Sequence, residues 1–376
     1  MIRNALDITN ELTSFVRNSP KTAALLRRLA LGTESGTGSL RPLCPTRWTC
    51  RTASLRSVLE NYEFIMHTLE EVSTESSGEH ARRAGGMLAL MGQFDTLMGL
   101  RMAIEVFSIA EDLSRGLQSA TATVGDTQKA VTRVCERFDS MRTTVSFDKT
   151  YKKTERDAEE VGVDGPQLPR KRKVPMKLGG GDQHPDATAK EMYRRQFFEV
   201  LDLLTNQLKE RFTQPTFEKA REVERVLEDA SAGRDVSVPA VVRELYGDDL
   251  DLARLEVQLK MLPDVVGGGR NSVHEVLQAL VDSKQTGGAV FQRMMSEVLT
   301  LAKLYLTVPV TTATAERCFS SLRRIKSYIR STMGQGRLNA AMLCATHRQR
   351  VDELNVDLIA TEFFGANDRR RSFFGR

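Results

Sequence analysis

The chain has 376 residues, 40% of them apolar and 27% charged, with a net charge of +5. That is long enough for two domains, or for one with a large insertion, and the excess of base permits a nucleic-acid partner without demanding one. Five scattered cysteines without zinc-finger spacing argue against a disulfide framework; no signal-peptide core follows Met1, and no apolar run approaches membrane-spanning length.

Leu, Ala, Arg, Glu and Met are common and aromatics few, a bias toward helix. Residues 2–31 read as helix, with Ile8, Leu12, Phe15, Leu25, Leu26 and Leu29 at helical spacing. Ser19-Pro20 has the form of an N-cap followed by proline at the first helical position, so a break is expected near Asn18. A Gly/Ser/Thr loop leads to Pro42-Leu43-Cys44-Pro45-Thr46-Arg47-Trp48, which holds the chain's one tryptophan. Trp48 suits an aromatic plug against the next helix; it also suits stacking on a base, with Arg47 on a phosphate. That next helix is expected from Thr49 to Val72, and further helix from Ala81 to about Ser146 with a kink around Gly125.

Residues 148–189 read as a charged, proline-rich linker with little to bury. Within it Arg170, Lys171, Arg172 and Lys173 are either a solvated charge run or a nuclear localisation signal. Helix resumes at Lys190, and shorter helices are expected over 217–227, 236–246, 252–262 and 274–280, with a loop from Pro263 to Gly269. Phe291, Met294, Met295, Val298, Leu301, Ala302 and Tyr305 lie on one helical face ended by Pro309. After a threonine-rich turn, Phe319, Leu322, Ile325 and Ile329 form a stripe expected to be buried, with Arg323, Arg324, Lys326 and Arg330 off it. Gly334 and Gly336 break this helix, and a last one carries Leu338, Ala341, Met342 and Ala345 inward. Between Glu316 and Arg350 eight Lys/Arg face one Asp/Glu, a balance of +7. No metal constellation or nucleophile motif is visible: the five histidines lie far apart, and Cys344 with His347 is a lone C-x-x-H.

The run from Pro309 through Thr311, Thr312, Thr314, Glu316-Arg317 and Phe319-Ser320, followed by Arg324-Ile325-Lys326, Arg330-Ser331-Thr332 and Arg337-Leu338, resembles the C-terminal dimerisation region of hAT-superfamily transposases. Thr46-Arg47-Trp48 resembles a second hAT feature. The spacing between the two is similar to the domesticated group typified by zinc-finger MYM-type protein 1-like proteins.

In that family an RNase H-like core uses two Asp and one Glu to hold two divalent metals for strand cleavage and transfer. The Glu falls on Glu316, and an intact member would use Mg2+. The resemblance puts the two Asp residues and a zinc module upstream of this chain's first helix, and Asp7 sits in a helical pattern without the family's Asp context. The expectation is therefore an N-terminally truncated, mainly α protein: a helical remnant of an RNase H-like core with its insertion domain, lacking most of the β-sheet, catalytically incomplete and without a cofactor. The expected parts are core helices with the Thr-Arg-Trp segment (1–72), a helical insertion (81–147 and 190–285) around the linker (148–189), the dimerisation region (286–366) and a frayed basic tail (367–376).

The implied activity is protein dimerisation through Phe319, Leu322, Ile325, Ile329, Leu338 and Met342, with residual DNA contact through Arg47, Trp48, Arg317, Arg323, Arg324, Lys326 and Arg330. The expected partner is a second copy, with DNA as a further one, no membrane and no small-molecule substrate, and the expected location is the nucleus. The competing expectations are a fragment of an active transposase and a nucleic-acid-binding module.

Overall fold

The computed structural model describes residues 1–31, 37–43, 51–75, 77–119, 121–168, 188–267, 272–308, 313–327, 330 and 332–374, the side chains of 283–289, 291–292, 313, 314 and 317 excepted. Among the described residues every regular element is a helix. The chain divides into two compact units, Met1–Val310 and Thr311–Arg376.

The first unit contains α1 (Ile2–Asn18), α2 (Pro20–Ala30), α3 (Arg51–Glu60), α4 (Tyr62–Glu75), α5 (Glu79–Met91), α6 (Phe94–Leu117) and α7 (Val124–Met141). It continues with α8 (Thr144–Glu160), α9 (Ala189–Phe212), α10 (Pro215–Ser231), α11 (Ala240–Tyr246), α12 (Leu252–Val266), α13 (Val273–Met294) and α14 (Ser296–Thr307). Ser19 is extended and its side chain accepts from Thr22 N, with Pro20 at the first helical position, so the expected break between α1 and α2 is present. An N-cap hydroxyl satisfies one of the donors that a helix start leaves without an intrahelical partner.

The expected helix from Thr49 to Val72 is two helices parted at Asn61. Asn61 is fully buried. Its amide donates to Ser57 O at 2.7 Å and its Oδ1 accepts from Gly38 N at 2.8 Å. The turn it holds needs Gly38, which has φ +60° and would place a Cβ 2.9 Å from Arg27 Cα. The amide of Thr52, in the first turn of α3, donates at 2.7 Å to the buried carboxylate of Glu111 on α6, a favourable place for negative charge.

Two apolar cores follow from these helices. One gathers α1 to α6, α8, α9 and the C-terminal part of α7, with Leu12, Leu55, Ile65, Met91, Phe138, Phe147, Tyr193 and Phe197 among its buried members. The other gathers α10 to α14 and the N-terminal residue of α7, Val124. A small third cluster of Leu113, Val131, Cys135 and Phe212 lies where α6, α7 and α9 meet.

The linker expected from residue 148 begins later. Residues 148–160 continue α8, whose Phe147, Thr150, Tyr151, Thr154 and Ala158 are buried. The loop expected at Pro263 is also corrected: α12 runs through Pro263 to Val266 and ends at Gly267 in the left-handed conformation. Gly267 N donates to Pro263 O at 3.1 Å; Pro263 itself lies inside the helix, where it removes one i→i−4 hydrogen bond without ending it. The short helix expected at 274–280 extends to Met294, and a break at Met295 splits the single face expected for 291–305 into α13 and α14. The kink expected at Gly125 is instead the start of α7 after a break from α6.

That start is a buried polar joint. Gly125 N donates to Glu224 Oε2 on α10 at 2.7 Å, and Val124 N donates to the Tyr305 hydroxyl on α14 at 3.1 Å. Glu224 is fully buried, and Arg221 bridges it at 3.3 Å and Glu228 at 2.9 Å. A Cβ at Gly125 would meet Arg221 Nη1 at 2.6 Å and Glu224 Oε1 at 2.9 Å, so a larger residue here would push apart the ion pair that holds α7 to α10.

The second unit contains α15 (Ala313–Ile325), α16 (Gln335–Thr346), α17 (Arg348–Asp352), α18 (Val356–Gly365) and α19 (Asp368–Phe374). α15 packs on α16, and α18 on α19. The tail expected to fray from residue 367 is helical to Phe374.

Candidate self-association surface

The last helix of the first unit, α14, is firmly rooted. Val298, Leu301, Ala302 and Tyr305 recur at helical spacing and are buried in the second core, as is Met295 just before the helix. Gln258 on α12 caps the helix from outside, its Oε1 accepting from Glu297 N at 2.8 Å and Val298 N at 3.2 Å. Burial pushes the Tyr305 hydroxyl well above the ordinary tyrosine range; the Val124 amide works against this, and the charge of Glu224 adds to it. The phenol is thus held neutral as an acceptor for α7, a structural role.

The second unit is built differently. Among the described residues of Thr311–Arg376, Leu338 alone is buried, at 7% exposure. α15 carries its apolar residues in one stripe, as its sequence predicts, but among the described residues that stripe is covered only in part. Phe319 is 66% exposed, and Leu322 and Ile325 are only partly covered. The buried stripe expected for α15 is therefore corrected: Phe319 faces solvent. On α16 Leu338 is inward, Ala341 and Met342 are partly covered, and Leu343, Cys344 and Ala345 are exposed. Ala345 is thus a further correction. A fully buried large apolar side chain contributes roughly 1.5–3 kcal/mol, so the described residues of this unit, Leu338 alone buried, draw little stability from their own core.

Arg323 and Arg324 lie in the last turn of α15, and Lys326 and Arg330 lie beyond it, because the helix ends at Ile325, short of the break expected at Gly334. Arg323, Arg324, Lys326 and Arg330 are all exposed, and no described carboxylate forms an ion pair with them. Glu316 sits in the first turn of α15 and is exposed, a favourable position for a carboxylate. Among the described residues no three His, Cys, Asp or Glu side chains come together as a metal-binding group. Hard divalent cations require several oxygen ligands, and among the described residues Glu316 is not part of such a group. Arg47, Trp48, Arg170, Lys171, Arg172, Lys173, Ile329 and the side chain of Arg317 lie outside the described residues. No described helix is long and apolar enough to cross a membrane.

Sequence reasoning missed the apolar residues beyond α16. Leu354, Val356, Leu358, Ile359, Phe363, Phe373 and Phe374 are all exposed. The signal was present in V-D-L-I-A-T-E-F-F, which is apolar on more than one side of a helix.

Residues 295–349 match the family profile of the hAT family C-terminal dimerisation region. The match runs from Met295, just before α14, to Gln349 in α17, and supports a hAT-family origin. It takes in α15 and α16 with their uncovered stripe. No solved structure matches the chain.

Proposed function

We propose that this chain is a transposase-derived protein whose activity is association with a second copy of itself through α15 and α16. The observation that carries the reading is the coreless second unit. Phe319 and Leu343 are more than half exposed and, among the described residues of the unit, Leu338 alone is buried, within a stretch that matches a dimerisation region. Large exposed apolar side chains within a matched dimerisation region point to an interaction site, and a two-fold pairing would bury the same residues on both copies. On this reading the first unit derives from the flanking and insertion helices of an RNase H-like core, in the zinc-finger MYM-type protein 1-like group. Light scattering on the eluting full chain is expected to give a dimer. Substituting Phe319→Ser with Leu343→Ser, both on the surface, shifts it toward monomer with unchanged helicity. A strict monomer at micromolar concentration refutes the reading.

A second reading rests on Arg323, Arg324, Lys326 and Arg330, exposed and without described acidic partners. These would contact the phosphates of a DNA duplex, and binding would weaken steeply with salt, by about 0.9 in log–log slope for each phosphate contact. Removing two of the four arginine or lysine charges should flatten that slope; an unaltered slope rejects the assignment. Strand cleavage is not part of either reading, and no nicking of supercoiled plasmid in Mg2+ is expected. Nicking that Glu316→Gln abolishes would replace both readings with an active transposase.

A further inference from the structure

The matched region ends at 349, but the uncovered apolar surface does not. α18 and α19 hold no buried residue, yet they pack into an ordered aromatic group. Phe364 and Phe374 stack with centroids 5.9 Å apart, Phe363 lies 6.0 Å from Phe374, and Arg370 stands over the Phe363 ring at 4.2 Å. Around this group Val356 is 74% and Phe373 80% exposed, with Leu358 and Ile359 also outward. Phe363, Phe373 and Phe374 alone present on the order of 300–400 Å² of aromatic surface, taking a full ring side chain as about 150–250 Å². That is as large as the biggest apolar patch of a typical monomer.

We propose that α18 and α19 form a second self-association patch whose occupant is the same patch of another copy of this chain. This rests on the reading of α15 and α16 as a self-association surface, and extends it past the matched residues 295–349. Two observations select a second copy as occupant. The patch follows the matched region directly in the chain. Its charges are also segregated: Asp352, Glu353, Asp357 and Glu362 occupy 352–362 without a base, and Arg369, Arg370 and Arg371 follow as a block. Arg348 takes Asp352, and Asp368 takes Arg371, which leaves Glu353, Asp357 and Glu362 to face Arg369 and Arg370. In an isologous contact each residue i meets j while j meets i. Antiparallel pairing then sets the acidic α18 of one copy against the basic α19 of the other, and both apolar faces are covered at once. A parallel pairing would oppose like charges.

The test uses the full chain and two sets of surface substitutions, with dissociation followed by sedimentation on dilution and helicity checked by circular dichroism. Val356→Ser, Leu358→Ser and Phe373→Ser together should raise the dimer dissociation constant on the order of tenfold or more, as central apolar contacts do. Arg369→Glu with Arg370→Glu should also weaken it. Mixing that variant with Glu353→Arg, Asp357→Arg and Glu362→Arg should restore pairing as a mixed dimer. The proposal is overturned if the apolar triple variant dissociates like the unaltered chain, or if the mixed pair does not recover. A full chain that never dimerises defeats the α15–α16 reading itself. A dimer weakened by Phe319→Ser with Leu343→Ser, but untouched by the α18–α19 variants, defeats this inference alone.

Discussion

Replacing Glu224 by alanine removes the centre of the joint among α7, α10 and α14. Two losses can be worked from the contacts. The Gly125 amide, buried and donating at 2.7 Å, is left without an acceptor, which costs roughly 1–3 kcal/mol. Arg221, its side chain only 15% exposed, loses one of two carboxylates and keeps Glu228 at 2.9 Å. Breaking a buried pair typically costs about 3–5 kcal/mol, and because Glu228 remains the total should fall at about 3–4 kcal/mol rather than the sum. Glutamine keeps an oxygen for Gly125 and removes only the charge, so its cost should be about 1–2 kcal/mol. Urea unfolding at neutral pH, followed by far-ultraviolet circular dichroism, measures both. Hydrogen exchange at Val124 and Gly125 localises the effect, because opening the joint exposes those amides. An alanine variant that loses less than about 1 kcal/mol, or one that matches glutamine, would refute the assignment of Glu224 as the acceptor that organises the start of α7.

Gly125→Ala should destabilise the same joint by about 1–3 kcal/mol, since the new Cβ overlaps Arg221 and Glu224 and overpacking costs that much; an unshifted urea midpoint would contradict it. Thr188→Ala removes a capping box in which Thr188 Oγ1 accepts from Glu191 N and Glu191 Oε2 accepts from Thr188 N, both at 3.2 Å. The cost is about 1 kcal/mol, read as early exchange in the first turn of α9. Burial pushes the Glu105 carboxyl up, more than the Thr150 hydroxyl and Arg101 pull it down. A raised carboxyl contributes stability that is present below the ordinary glutamate range, about 4.3, and is lost as pH rises through its folded value. Glu105→Gln should therefore fall less in stability than the unaltered chain over that rise; parallel profiles would show that Glu105 does not titrate in this way.

Local punctuation was the most legible part of the fold. Ser19-Pro20 marks the break between α1 and α2 because a capping hydroxyl and a preset φ act within one turn, with no help from tertiary structure. Helix α8 was hidden for the opposite reason. Two of its five buried positions are Thr150 and Thr154, which read as polar. In the fold their hydroxyls are satisfied, Thr154 by Thr150 O at 2.8 Å and Thr150 by Glu105 at 2.8 Å, so they pack as core. Pro263 misled because proline usually ends a helix, whereas α12 continues through it to Val266 with one backbone hydrogen bond fewer. At the site, the α15 stripe was visible as periodicity, but periodicity reports only which residues share a face. Whether Phe319 faces a core or solvent depends on what else the unit supplies, and the second unit supplies little. The charged body of 352–371 hid α18 and α19 as well: their apolar residues are interleaved with acids and followed by arginines.

The division at Val310 and Thr311 falls inside the stretch that matches the dimerisation region. What inheritance treats as one module, folding treats as two: α14 is a member of the second core, while α15 and α16 are not. A peptide spanning only 295–349 would carry Met295, Val298, Leu301, Ala302 and Tyr305 stripped of the α10, α12 and α13 surfaces that cover them. Recombination that transplants the association surface into another protein must therefore begin near α10 or bring α14 into a new host core. A graft cut at the family boundary would be sticky in two places, only one of them selective.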